Sequence, residues 1–190
     1  MSRYRAIVMG VSAGGFKALS TVLPKLQPSL PLPVLIVQHL SPVSDTYLVD
    51  HLKRLCAVKV KMAEDKEPAE AGVVYLAPPD YHLLVEADNS LALSLENRVN
   101  YSRPSIDVLF SSAAEVYLEG LIGVIMTGAN SDGAEGLARI KECGGLAVVQ
   151  APETAEVNVM PLAAMEVVAV DYVVPLERLG RFLNSLAMGQ

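Results

Sequence analysis

The sequence predicts an α/β protein: a doubly wound, mostly parallel sheet flanked by helices, with a small antiparallel hairpin. Three observations predict it. Short runs rich in β-branched residues recur at RAIVM, PVLIVQ, GVVYLA, LIGVIM and GLAVVQ, and several are separated by segments with helical spacing. These runs are almost continuously apolar rather than alternating, the pattern of strands covered by helices on both faces. One interruption, YHLLVEADNSLALSLE, sets two alternating strands around ADNS, which is the pattern of a hairpin and not of a crossover.

The elements follow in order. RAIVMGVSAGGFKALSTVLPKL gives a strand, a small-residue loop and a helix with Leu19, Val22, Leu23 and Leu26 at helical spacing. PVLIVQ is a second strand ending at His39. TYLVDHLKRL is a helix that carries His51 among charged neighbours, where solvation is expected, and Cys56 follows it. After GVVYLA, the PPDY turn leads into the hairpin, with His82 at its start and expected at an exposed rim. LIGVIMTGANSDGAEGLARIKECGG repeats the strand, small-residue loop and helix of the opening segment, with Cys143 near the helix end. PLERLGRFLNSLA closes the chain as an amphipathic helix with proline at its start.

Bulk properties bound the function. At 190 residues with no linker-like composition break, a single domain spanning 1–190 is expected. Hydrophobic residues make up 52% of the chain, yet no run approaches the roughly 18 residues that span a bilayer, so no membrane insertion is expected. The N-terminus lacks a signal-type apolar segment, and two cysteines are too few for a disulfide framework, which makes the cytoplasm the default compartment. A net charge of −6 without a Lys/Arg cluster argues against nucleic acid as a partner. Neither Cys56 nor Cys143 has neighbouring ligand types, so packing is expected of both, and no metal.

Ser12 raises the chemical question. GVSAG reads either as a G-x-S-x-G elbow that lifts a serine hydroxyl out of a strand-to-helix turn, or as glycines clearing space for a phosphate at a helix N-terminus. His39 and Asp132 both fall, like Ser12, just after apolar strands, and open α/β sheets place reactive groups at that edge. One sheet edge can therefore gather nucleophile, base and orienting carboxylate. Each has a bland alternative: a loop-capping histidine for His39, and an N-cap of the following helix for Asp132. Asp45, Asp80 and Asp107 also flank loops, so position alone does not single out Asp132. A dinucleotide-binding domain is the rival reading, but it calls for an acid about 20 residues past the glycine loop. Here the second strand ends in VQHL, and neither GVSAGG nor the spacing up to Phe16 fits a dinucleotide fingerprint.

Taken together, GVSAGG, VLIVQHL, VYLAPPDYHLLV, RPSIDVLFSSAA, MTGANSDGAEGL and VVQAPETAEVNVMPLAAM occur in order from about Arg5 to Phe182. The chain resembles the catalytic domain of CheB-type protein-glutamate methylesterases. In that family a Ser-His-Asp triad hydrolyses γ-methyl esters of glutamate on chemoreceptors, and the matching positions are Ser12, His39 and Asp132. The family fold is the doubly wound sheet already expected. Departures are Ala13, where threonine is common, TGAN in place of TGMG, and Leu162 where an arginine often follows MP. The familiar chemotaxis enzymes carry a receiver domain ahead of this segment, whereas this sequence opens on it. The resemblance thus implies no phosphorylation control in cis, and regulation by a separate partner.

The resemblance further implies acyl transfer to water with neither cofactor nor metal. Backbone N–H groups near Ala13 and Ala129 are the oxyanion-hole candidates. A methylated chemoreceptor-like protein is the expected partner, with Arg98, Arg103 and Arg139 as candidates to meet its acidic surface, and glutamine deamidation can follow the same steps. A catalytically silent receptor-binding module is the alternative from another functional class, and the intact triad argues against it.

Overall fold

The computed structural model describes residues 3–39 and 46–189; Asp45 lies outside them. In chain order the elements are β1 (Ala6–Val11), α1 (Gly15–Val22), β2 (Val34–Gln38), α2 (Tyr47–Leu55), β3 (Lys59–Met62), β4 (Val73–Leu76), β5 (His82–Val85), β6 (Leu91–Ser94), α3 (Ile106–Tyr117), β7 (Leu121–Ile125), α4 (Ala134–Glu142), β8 (Leu146–Gln150), α5 (Val159–Val167), β9 (Tyr172–Val174) and α6 (Leu176–Met188). A parallel seven-stranded sheet runs in the order β3-β4-β2-β1-β7-β8-β9, and β5 and β6 pair separately as an antiparallel hairpin.

The apolar runs explain the layering. Along β1 the side chains alternate between two cores: Ile7, Met9 and Val11 pack with Leu19, Leu52 and Leu183 of α1, α2 and α6. Ala6 and Val8 pack with Phe110, Leu137 and Ala164 of α3, α4 and α5. Both sheet faces are therefore covered, which is why these strands lack polar alternation. The hairpin joins the second core through Leu83, Val85 and Leu91.

Two strands carry no signal of this kind. In β3, Lys59 is exposed while Val60 is buried, and β9 spans three residues with Tyr172 and Val173 exposed. Both lie at sheet edges, where one side of the strand meets no neighbour and charge is tolerated. The strand order reverses at β1, with β2 on one side and β7 on the other. That switch point is where an open parallel sheet leaves a crevice beyond its carboxyl ends. Among the described residues no helix is long and apolar enough to cross a membrane.

Candidate active site

Register sets the site. Val11 of β1 lies opposite Gln38 of β2, and Gly10 opposite Ile125 of β7, so Ser12, His39 and Thr127 leave the sheet at one level. The Ser12 loop is tied down on both sides: Ser12 N–H donates to Thr127 O at 2.9 Å, and Thr127 Oγ1 donates to Ala13 O at 2.8 Å. Gly14 takes φ +79°, in the left-handed region that favours glycine, and a Cβ there would meet Glu156 at 2.7 Å.

Gly15 answers the question of what the glycines clear space for. A Cβ at this position would fall 1.7 Å from Gln38 Oε1. The room is filled by the Gln38 amide, whose Nε2 donates to Ser12 O at 3.0 Å and to His39 O at 2.9 Å. One buried amide thus holds the backbone of both residues, and the space beside Gly15 is not left for a phosphate.

His39 bridges the other two groups, with Nδ1 3.1 Å from Ser12 Oγ and Nε2 2.7 Å from Asp132 Oδ2. Asp132 is fully buried. Its carboxylate is surrounded by donors: Oδ2 also accepts from Ile106 N–H at 2.7 Å, and Oδ1 accepts from Ser105 Oγ at 2.9 Å, Asp107 N–H at 3.1 Å and Asn100 Nδ2 at 3.2 Å. Burial opposes the charge, but the bonds from His39 and from the Ile106 and Asp107 N–H groups outweigh it and hold the carboxyl below its ordinary range. An ionised carboxylate only accepts, so His39 Nε2 carries a proton and, in the neutral ring, Nδ1 is the acceptor for the Ser12 hydroxyl. The arrangement is a serine facing a basic nitrogen, with the imidazole tautomer fixed from behind.

Asp132 does not cap the helix that follows it. The N-cap of α4 is Gly133, without a side-chain cap bond, while the Asp132 carboxylate takes the first N–H groups of α3. In exchange, Asp107 Oδ1 of α3 accepts from Gly133 N–H at 3.0 Å and Gly136 N–H at 2.6 Å at the start of α4. Each aspartate therefore serves the other's helix.

His82 is a correction. It is buried rather than exposed at a rim: its Nδ1 accepts from Ser105 N–H at 3.2 Å and its Nε2 donates to Asn97 O at 3.0 Å. Packing on α3 through the apolar hairpin puts it behind the Asp132 site. His51 is likewise not simply solvated, since Nε2 lies 3.2 Å from Ser20 Oγ and the ring packs 4.7 Å from that of Phe16. Arg103 is turned inward, bonding Asp80 at 2.9 Å and the carbonyls of Leu95 and Glu96. Arg98 reaches the same aspartate at 3.8 Å, and Arg139 pairs with Glu115 and Glu142. None of the three arginines is an unpaired cation. Cys56 closes α2, and burial pushes its thiol up to about 11, as suits a packing cysteine.

The backbone N–H groups of Ala13 and Ala129 bond no other group among the described residues. Ser105, Asn100, Gln38, His82 and Asp107 are the site residues that periodicity did not single out. Only RPSID held a signal, with a serine and an acid at a helix start.

Against known proteins, the CheB methylesterase family matches residues 7–183. A Leptospira interrogans protein named provisionally as a protein-glutamate methylesterase/protein-glutamine glutaminase is 56% identical over 183 residues, covering 96% of this chain and 95% of that protein. A protein-glutamate methylesterase/protein-glutamine glutaminase of Geobacillus kaustophilus is 43% identical, and there the match spans 95% of this chain but 53% of the relative's length. The crystal structure of the Thermotoga maritima CheB methylesterase catalytic domain superposes with a TM-score of 0.93 at 34% identity, covering 96% of this chain and 98% of that one. By sequence and by fold alike, the chain belongs to the CheB methylesterase family.

Proposed function

We propose that this protein hydrolyses glutamate γ-methyl esters on a chemoreceptor-like protein, with Ser12 as nucleophile, His39 as general base and acid, and Asp132 as the group that orients His39. The observation that carries the reading is the unbroken hydrogen-bond chain from Ser12 Oγ through His39 to the buried Asp132 carboxylate. Family membership supplies the substrate class.

Ser12 Oγ attacks the ester carbonyl carbon as its proton passes to His39 Nδ1. The imidazolium is stabilised by Asp132 through Nε2. The carbonyl oxygen becomes an oxyanion, for which the N–H groups of Ala13 and Ala129, unengaged among the described residues, are the donors. Collapse expels methoxide, which takes the proton from Nδ1 and leaves as methanol. Water then attacks the acyl-serine with His39 again as base, releasing the glutamate side chain and restoring Ser12. Glutamine deamidation, which the relatives' names couple to esterase activity, follows the same steps with ammonia as the leaving group.

The test is methanol release from receptors methylated by a cognate methyltransferase. Wild-type protein releases methanol, and Ser12→Ala lowers the rate by about 10⁶, the loss found for a serine protease triad. Comparable turnover by the variant removes Ser12 as nucleophile. Failure on every methylated receptor while a simple ester is still cleaved through Ser12 keeps the hydrolase and discards the substrate.

A further inference from the structure

A second aspartate stands directly behind the triad carboxylate. Asn100 Nδ2 donates to Asp107 Oδ2 at 2.7 Å and to Asp132 Oδ1 at 3.2 Å, so one amide group bridges two carboxylates. The amide orientation is dictated by charge, because its oxygen turned toward two carboxylates would be repelled. The same Asp107 holds Gly133 N–H, the residue following Asp132, and Gly136 N–H in the first turn of α4. Asn100 sits at φ +50°, a left-handed conformation that asparagine tolerates, on an exposed loop.

We propose that Asp107 is a positioning residue for the hydrolysis, holding the Asp132 carboxylate in line with His39 by two routes: the bridging Asn100 amide and the backbone of Gly133. This rests on the triad reading above.

The physical case is one of competing demands on Asp132. Its two oxygens take five donors, more than the roughly four lone-pair sites a carboxylate offers, so the orientation of Oδ2 toward His39 depends on how the other donors pull. Ile106 and Asp107 N–H are fixed by α3. Asn100 is on a loop, and its nitrogen is fixed by the shorter bond to Asp107. Without that anchor the Asn100 donor loses its place on Oδ1, and the carboxylate can rotate toward the α3 N-terminus and away from His39. Asp107 has no ion-pair partner among the described residues, so nothing there supplies a cation for it to neutralise. Its oxygens are spent on Asn100 and on α4.

The test uses the full chain and a chromogenic acetate ester, which requires Ser12 but no receptor contact. Asp107→Asn keeps an acceptor for Gly133 and Gly136 N–H but sets an NH₂ against that of Asn100, breaking only the bridge. Asn100→Gly removes the bridge from the other end and keeps a residue suited to φ +50°. Each single variant is expected to lower kcat by about 10- to 100-fold, the range seen when the hydrogen-bond partners that orient metal-binding side chains are removed, with KM unchanged because neither residue belongs to the proposed triad or oxyanion donors. The double variant should be no slower than the slower single one, since both cut the same link.

A merely structural role would instead lower the thermal midpoint and leave kcat per folded molecule unchanged, and that overturns the proposal. Multiplying losses in the double variant, or a change in KM with kcat intact, overturn it as well. Should Asp107→Asn fail to fold, Asn100→Gly on its exposed loop decides alone: a kcat within twofold of wild type is then fatal. Ester turnover by Ser12→Ala equal to wild type would show that the triad reading itself has failed, a result distinct from silent Asp107 and Asn100 variants beside an inactive Ser12→Ala.

Discussion

In the proposed mechanism, proton transfer at His39 works only if the ring presents a free nitrogen to Ser12 and meets its new charge at once. The two ring nitrogens divide these tasks, Nδ1 toward Ser12 and Nε2 toward Asp132. Asp132→Asn attacks that division. An amide nitrogen facing Nε2 forces the proton onto Nδ1, where it points at the serine and the base is lost. The expected outcome is a fold that survives with kcat on a simple ester reduced by about 10⁴, the loss in a protease triad for the same exchange. Steady-state kinetics beside thermal unfolding checks it, and a variant with falling stability but intact activity per folded molecule would make Asp132 only a cap for α3. Position after an apolar strand marked Ser12 and His39 as candidates, but Asp132 stood out from the other loop-flanking acids only through the ordered motifs of the family resemblance. Their supporting partners carried no such mark. Asn100 and Ser105 precede α3 in an irregular stretch, and Gln38 reads as the end of an apolar strand; nothing periodic marks any of them.

Elements place these residues by trading local needs. The N-termini of α3 and α4 each lack intrahelical partners for their first N–H groups, and each finds a carboxylate on the other segment, Asp132 for α3 and Asp107 for α4. A sequence reading assigns caps to the helix that follows, which is why Asp132 suggested a cap for α4. The exchange across chain segments is visible only once the sheet has brought them together. The β3 and β9 edges escaped notice for a related reason, since a strand with one neighbour needs no apolar run. At the α1 entry the dependence runs through Gly15. Gly15→Ala sets a methyl group 1.7 Å from Gln38 Oε1, and the amide must leave Ser12 O and His39 O. Overpacking of this kind costs about 1–3 kcal/mol, so a lower unfolding midpoint and a lower kcat are expected together. Normal stability with normal turnover would show that the loop yields without using the amide.

For the molecule as a whole, two aspartates tie the site to stability in opposite directions. Asp132 is held below its ordinary range in the folded protein. Its contribution is present above the unfolded carboxylate value and is lost as pH falls through the folded one. Asp107 behaves inversely. Burial first, and then the neighbouring Asp132 charge, push it from the ordinary 3.8 up to about 6, against the pull of the Gly136 and Gly133 N–H groups. Between those two values the folded chain holds a proton at Asp107 that the unfolded chain has released, so stability from this group is greatest at the acid end and declines as pH rises through about 6. Asp107→Asn cannot titrate. Denaturant unfolding of both proteins from pH 3.8 to about 7, a window that takes in both values, should therefore show the wild type losing ground to the variant as pH increases, whatever their offset at the start. A constant difference across that window would mean that Asp107 ionises alike in both states and that the Asp107–Asn100–Asp132 cluster is open to water in solution.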